Sequence, residues 1–141
     1  MERGSGGVFA SLPASFLASL LAGALLTACQ SALVQEFPLT KFKAERMLDE
    51  GIREYDDGNY KLAARTIQGA VDAGLTTRSQ GRAHKYLAFM HCAAGQPAQC
   101  RDQFRKGLEA DRRLDLSAAE SGHPIWAPVF AEVKAGMPKP R

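Results

Sequence analysis

Tryptophan is almost missing from this chain, cysteine is scarce, and charge of neither sign is concentrated. One tryptophan and three cysteines stand among 141 residues. So few cysteines exclude a disulfide-dense miniature scaffold and a multi-cysteine metal cluster. The formal net charge is only +3, with basic residues scattered among acids. That excludes the basic stripe a nucleic-acid partner requires, and leaves a charge-mixed solvated surface. There is no glycine-rich phosphate loop, no serine elbow, and no pair of carboxylates distinct from ordinary surface acids. The sequence therefore predicts no enzyme, no cofactor and no small-molecule substrate. His84 and His91 are seven apart on one helix, with Cys92 beside His91. A metal site needs three or four convergent ligands, and His123 joins them only through folding, so no metal site is predicted. No segment alternates with period two, so no strands are expected.

What is present begins with an apolar run. From Val8 to Ala28 there is no charged residue, and the run ends in Leu26-Thr27-Ala28-Cys29. This string resembles the lipobox of bacterial lipoproteins, whose cysteine is lipidated before the signal segment is cleaved. Arg3 and the amino terminus supply a weakly positive start, Pro13 and Gly23 interrupt a spanning helix, and small residues crowd the cleavage point. The bland alternative is an uncleaved transmembrane anchor, since the run is nearly long enough to span. The resemblance implies a signal peptide over residues 1–28 and a lipidated Cys29 as first mature residue, leaving 113 of the 141 residues. By the sorting pattern of such lipoproteins, Gln30 implies the outer membrane, with the domain facing the periplasm. Residues 29–39 then form the tether. Ten extended residues reach about 35 Å at most, which keeps the domain near the bilayer.

Cys92 and Cys100 sit almost symmetrically around Gly95-Gln96-Pro97, which has the look of a helical-hairpin turn. In an oxidising compartment such an even pair is a disulfide candidate. The alternative is two small buried thiols.

Residues 40–136 read as one all-α domain, of a size that buries a core without many disulfides. Met47, Leu48, Gly51, Ile52 and Tyr55 recur at threes and fours on one helix face. Asp57-Gly58-Asn59 breaks the chain, and a second helix carries Leu62, Ala63, Ile67, Ala70 and Val71 before Gly74. Shifting the chain by 37 residues pairs Gly58 with Gly95, Ala63 with Cys100, Ile67 with Phe104 and Ala70 with Gly107. This is the grammar of a tetratricopeptide repeat: small residues where two helices cross, large ones where repeats stack. About two repeats are expected, with three extra residues lengthening the inter-repeat loop around Thr76-Thr77-Arg78. Two repeats leave apolar faces open, so a cap is needed. Ser117-Ala118-Ala119-Glu120 has capping-box spacing, and Pro128 suits the first turn of a last helix carrying Val129, Phe130 and Val133. This C-terminal capping helix, with Trp126 before it, is expected to fold back on the repeats. Residues 137–141, with two prolines, read as a flexible tail.

In tetratricopeptide folds the first helix of each repeat lines the concave face. Leu48, Ile52, Tyr55 and Asp56 would line it from the first repeat, and Arg82, Lys85 and Phe89 from the second. An apolar floor with a cationic edge suits a partner helix or extended peptide. Alternatively the chain's own Trp126 and Phe130 fill that face.

The lipobox and the Gly51…Tyr55…Gly58…Tyr60…Ala63 hairpin are joined by a later half with two marked strings. These are Ala83-His84-Lys85-Tyr86-Leu87-Ala88-Phe89 and, after Cys92 and Cys100, Glu120-Ser121-Gly122-His123-Pro124-Ile125-Trp126. Together they resemble the TssQ family of lipoproteins associated with type VI secretion systems in Gram-negative bacteria. The resemblance spans about residues 45 to 135. It implies an accessory envelope component that binds type VI secretion proteins, and it transfers no catalytic residue. A general tetratricopeptide-like adaptor or pilotin-like lipoprotein of another envelope machine shares the same physical features. A thiol-active or metal-binding periplasmic protein and a cell-wall enzyme are the remaining readings, and thiol titration separates the first of these.

Overall fold

The computed structural model describes residues 39–138, and the helical spacing there becomes helices joined by short turns. The signal segment 1–28, Cys29, the tether before Leu39 and the last tail residues 139–141 lie outside the described residues. Among the described residues six helices occur in order: α1 (Leu39–Asp56), α2 (Tyr60–Ala73), α3 (Thr77–Ala93), α4 (Pro97–Ala110), the single turn α5 (Ala118–Ser121) and α6 (Ala127–Gly136). No strand occurs among the described residues, and no helix there is long and apolar enough to cross a membrane.

The fold is all-α, built from two tetratricopeptide-like hairpins and a C-terminal capping segment. α1 packs on α2 and α3 on α4; α3 also meets α1 and α2, while α6 lies on α4. The internal repeat is exact in its helix limits: a shift of 37 residues carries the end of α1 onto the end of α3, and all of α2 onto α4. The two hairpin turns match as well. Gly58 and Gly95 both adopt a left-handed conformation, with φ of 80° and 69°, which side chains resist and glycine accepts. Pro97 opens α4 where Tyr60 opens α2, because the first helical residue needs no donated amide bond.

The expected long loop at Thr76-Thr77-Arg78 is corrected. Only residues 74–76 connect the repeats, and Thr77 and Arg78 already belong to α3. The Thr76 side chain caps the helix by accepting from the Ser79 amide, and Glu45 accepts from both the Thr76 amide (3.1 Å) and the Ser79 hydroxyl (2.6 Å). Those bonds fix the start of α3 at Thr77, so the connection stays short.

Close crossing explains the small residues. A Cβ on Gly51 would meet Ile67 Cγ1 at 2.5 Å and the Ile67 amide nitrogen at 3.1 Å, so α1 and α2 touch backbone to backbone there. The first core holds Leu48, Ile52, Ala63, Ile67 and Leu87; the second holds Phe89, Cys100, Phe104, Leu108 and Phe130. Tyr55 and Tyr86 pack against both and join them. Each fully buried large side chain contributes about 1.5–3 kcal/mol.

The capping box at Ser117 forms: its side chain accepts from the Glu120 amide while Glu120 accepts from the Ser117 amide. The tail is less loose than expected at its start. Met137 packs on the second core, and the Arg112 guanidinium donates to the Pro138 carbonyl.

Candidate functional site

The residues expected to floor an open groove are instead core. Leu48 is fully buried, Ile52 nearly so, and Phe89 is only 2% exposed. Leu48 and Ile52 are enclosed by α2 and α3 in the first core, whereas Phe89 is covered by the C-terminal segment, where Trp126 stacks on it with ring centroids 4.5 Å apart. Phe130 does not lie on this face but packs edge-on against Phe104 of α4 at 5.2 Å. An open groove along Leu48, Ile52 and Phe89 is therefore corrected to a filled one.

The cationic edge is also occupied. Arg82 pairs with Asp49 of α1 at 3.2 Å across the surface. Lys85 donates to both oxygens of Glu120, at 2.9 and 2.8 Å, with side chains only 12% and 18% exposed. Glu120 further accepts from the Ser117 amide at 2.7 Å, and its backbone carbonyl accepts from the Trp126 indole at 3.1 Å. Burial alone would raise the Glu120 carboxyl; the bonds from Lys85 and Ser117 outweigh it and hold the group below its ordinary range. Lys85 and Glu120 thus clamp the C-terminal segment over α3.

One partly open feature remains on this side. Where α1 and α3 end, Tyr55, Tyr60, Met90, Ala93, Ala94, His123, Ile125 and Trp126 surround a hollow of about 410 Å³ with largely apolar walls. Tyr60 and Ile125 stand at its rim, 55% and 50% exposed. Aromatic contacts build it: Tyr60 meets Tyr55 edge-on at 5.3 Å, Tyr55 meets Tyr86 at 5.1 Å, and Tyr86 meets Phe89 at 5.8 Å beneath Trp126. Such pairs favour edge-to-face geometry and contribute about 0.5–1.5 kcal/mol each beyond burial. Burial, then the neighbouring phenols and acids, push Tyr55 up to about 12. Burial likewise raises Tyr86. Both phenols therefore stay protonated at neutral pH.

Of the groove candidates, only Tyr55 reaches this hollow. Tyr60 read as a residue after a turn, and Ile125 as part of a cap. The signal that marks them is local: Tyr55 and Tyr60 flank the Gly58 turn, which folds their rings together.

Cys92 and Cys100 are bridged, with Cα atoms 5.1 Å apart, a spacing disulfides favour. The bridge joins the end of α3 to the start of α4. The histidines do not converge. His84 Nδ1 lies 2.7 Å from Gln103 Oε1, His91 Nδ1 lies 2.6 Å from Gln96 Oε1, and His123 lies parallel to Trp126. Among the described residues no three His, Cys, Asp or Glu side chains are grouped to hold a metal ion.

No family model, curated protein or solved structure matches the chain.

Proposed function

We propose that this chain is a periplasm-facing lipoprotein of the outer membrane, anchored through Cys29, that serves as a protein-interaction and assembly accessory of a type VI secretion system. The observation that carries the interaction role is the aromatic hollow beside Tyr55 and Trp126, rimmed by half-exposed Tyr60 and Ile125. Largely apolar walls that include the Tyr55 and Tyr60 rings suit a leucine-, methionine- or aromatic-bearing segment of a partner protein. Lipidation confines the domain to a surface and raises its effective concentration near envelope partners, so a modest contact suffices. The envelope placement rests on Leu26-Thr27-Ala28-Cys29, and the secretion system on the strings around His84 and His123.

The test is a crosslinked pull-down of the lipidated protein from envelopes, read by mass spectrometry against a Cys29→Ser control. Enrichment of type VI membrane-complex subunits, lost in the control, is the expected outcome. Enrichment of another envelope machine would move the function to a general adaptor. Unchanged membrane retention of Cys29→Ser after a carbonate wash would refute the anchor.

A further inference from the structure

We propose that the end of the domain at which α1 begins is a docking surface for an anionic phospholipid bilayer, with Phe42 entering the headgroup region. The inference rests on the anchor at Cys29. Phe42 is 64% exposed, the most exposed large hydrophobic side chain described. It shares a helix face with Arg46, one turn on, and lies between the exposed Lys41 and Lys43. The bonds from Thr76 and Ser79 to Glu45 bring the start of α3 alongside, and with it the exposed Arg78. Next to Arg78, across a charged cleft that also holds Asp111, stands the exposed Arg113.

Most acids at this end are engaged, and the exposed Asp72 of α2 accepts from Gln68. Glu45 is held by Thr76 and Ser79, Asp49 by Arg82, Asp111 by Arg113 and Asp115 by Lys134. Lys41, Lys43, Arg46 and Arg78 have no acidic partner among the described residues. Helix stability does not account for them. Lys41, Lys43 and Arg78 sit in the opening residues of α1 and α3, where the helix dipole favours acids, yet neither first turn has one. A basic cluster around an exposed aromatic ring is the chemistry that binds anionic headgroups.

Tether length selects the occupant. Cys29 is ten residues before Leu39, where α1 starts, so at most about 35 Å of chain separates the bilayer from this end. Trp126 stacks on Phe89 near the far end of α3, eleven residues or about 16 Å along the helix from Arg78. The aromatic hollow therefore faces away from the lipid, free for a protein partner.

Two proteins purified with their acyl chains test this: the wild type, whose sole tryptophan is Trp126, and Phe42→Trp. Both are reconstituted in brominated phosphatidylcholine vesicles containing phosphatidylglycerol. The expected result is strong quenching of the emission added by Phe42→Trp and little quenching of wild type. Adding Lys41→Glu, Lys43→Glu and Arg46→Glu to Phe42→Trp should abolish it, since each basic residue near such a surface multiplies the docked population about fivefold. Equal quenching of the two proteins, or quenching indifferent to the glutamates, overturns the docking. So does loss of a crosslinked envelope protein from the glutamate variant with quenching unchanged, which assigns the surface to an acidic protein. A purified chain whose mass lacks acyl chains overturns the anchor itself, a failure distinct from an acylated chain that leaves position 42 in water.

Discussion

Replacing Lys85 by methionine removes the ammonium that bonds both oxygens of Glu120 while keeping most of the aliphatic stem. The cost follows from how dry the pair is. Exposed ion pairs contribute about 0.2–1 kcal/mol, and breaking a fully buried pair costs about 3–5 kcal/mol. With side chains 12% and 18% exposed, this pair lies between, and a loss of about 2–3 kcal/mol is expected. In a domain of this size that lowers Tm by about 8–15 °C. Glu120→Gln should cost less, because the amide still accepts from Lys85 and Ser117, and the double variant should fall short of the summed losses. The pH dependence has a definite sign. Glu120 is held below its ordinary value of 4.5, so its contribution is complete above that pH and is lost as pH falls through the lowered folded value. Lys85→Met should therefore flatten the acid limb of a thermal-melt series followed by circular dichroism. Because the Trp126 indole donates to the Glu120 carbonyl, its emission should also shift to the red. Single variants that melt within two degrees or so of wild type would refute the clamp.

Phe89→Ala should cost about 3–5 kcal/mol and reduce cooperativity in denaturant melts, since Phe89 is core; an intact fold with only partner binding lost would restore the open groove. Reducing the Cys92–Cys100 bridge, which spans a sequence separation of eight, should lower stability by about 2–3 kcal/mol, and superimposable melting curves with and without reductant would contradict the bridge. Gly51→Leu places a side chain against the Ile67 backbone and should destabilise by more than 3 kcal/mol or abolish folding. Gly51→Ala should cost about 1–2 kcal/mol, because helix propensity offsets part of the clash.

The helices were legible because their signals are local. Gly58 and Gly95 punctuate the hairpins, Pro97 starts α4, and apolar residues at threes and fours mark one face each. The 37-residue shift was legible for the same reason: crossing helices demand a small residue at fixed spacing, as at Gly51, Ala63 and Cys100. The capping box at Ser117 was readable from four residues. Trp126 was readable as one possible cover of the concave face, but the choice between an open and a filled face was not, because it depends on where an aperiodic segment comes to rest. Trp126 comes to rest on Phe89 beside the Lys85–Glu120 clamp, a contact 35 residues apart in sequence. Repeat position placed Leu48, Ile52 and Phe89 on the concave side, but position alone does not tell a lined groove from a filled one. The hollow escaped notice because it combines α1, the start of α2, the end of α3 and the C-terminal segment, and half its rim looked like turn and cap.

The central claim is that the hollow beside Tyr55 receives a partner protein while the chain is held at the membrane. Site-specific photocrosslinking in intact envelopes tests it most directly, with the probe placed in turn at Tyr60, Ile125 and the exposed Glu109 of α4. The prediction is crosslinks from Tyr60 and Ile125 to a type VI membrane-complex subunit, lost in Cys29→Ser and absent from Glu109. Crosslinks from Glu109 alone, or equal yields from all three sites, would contradict it.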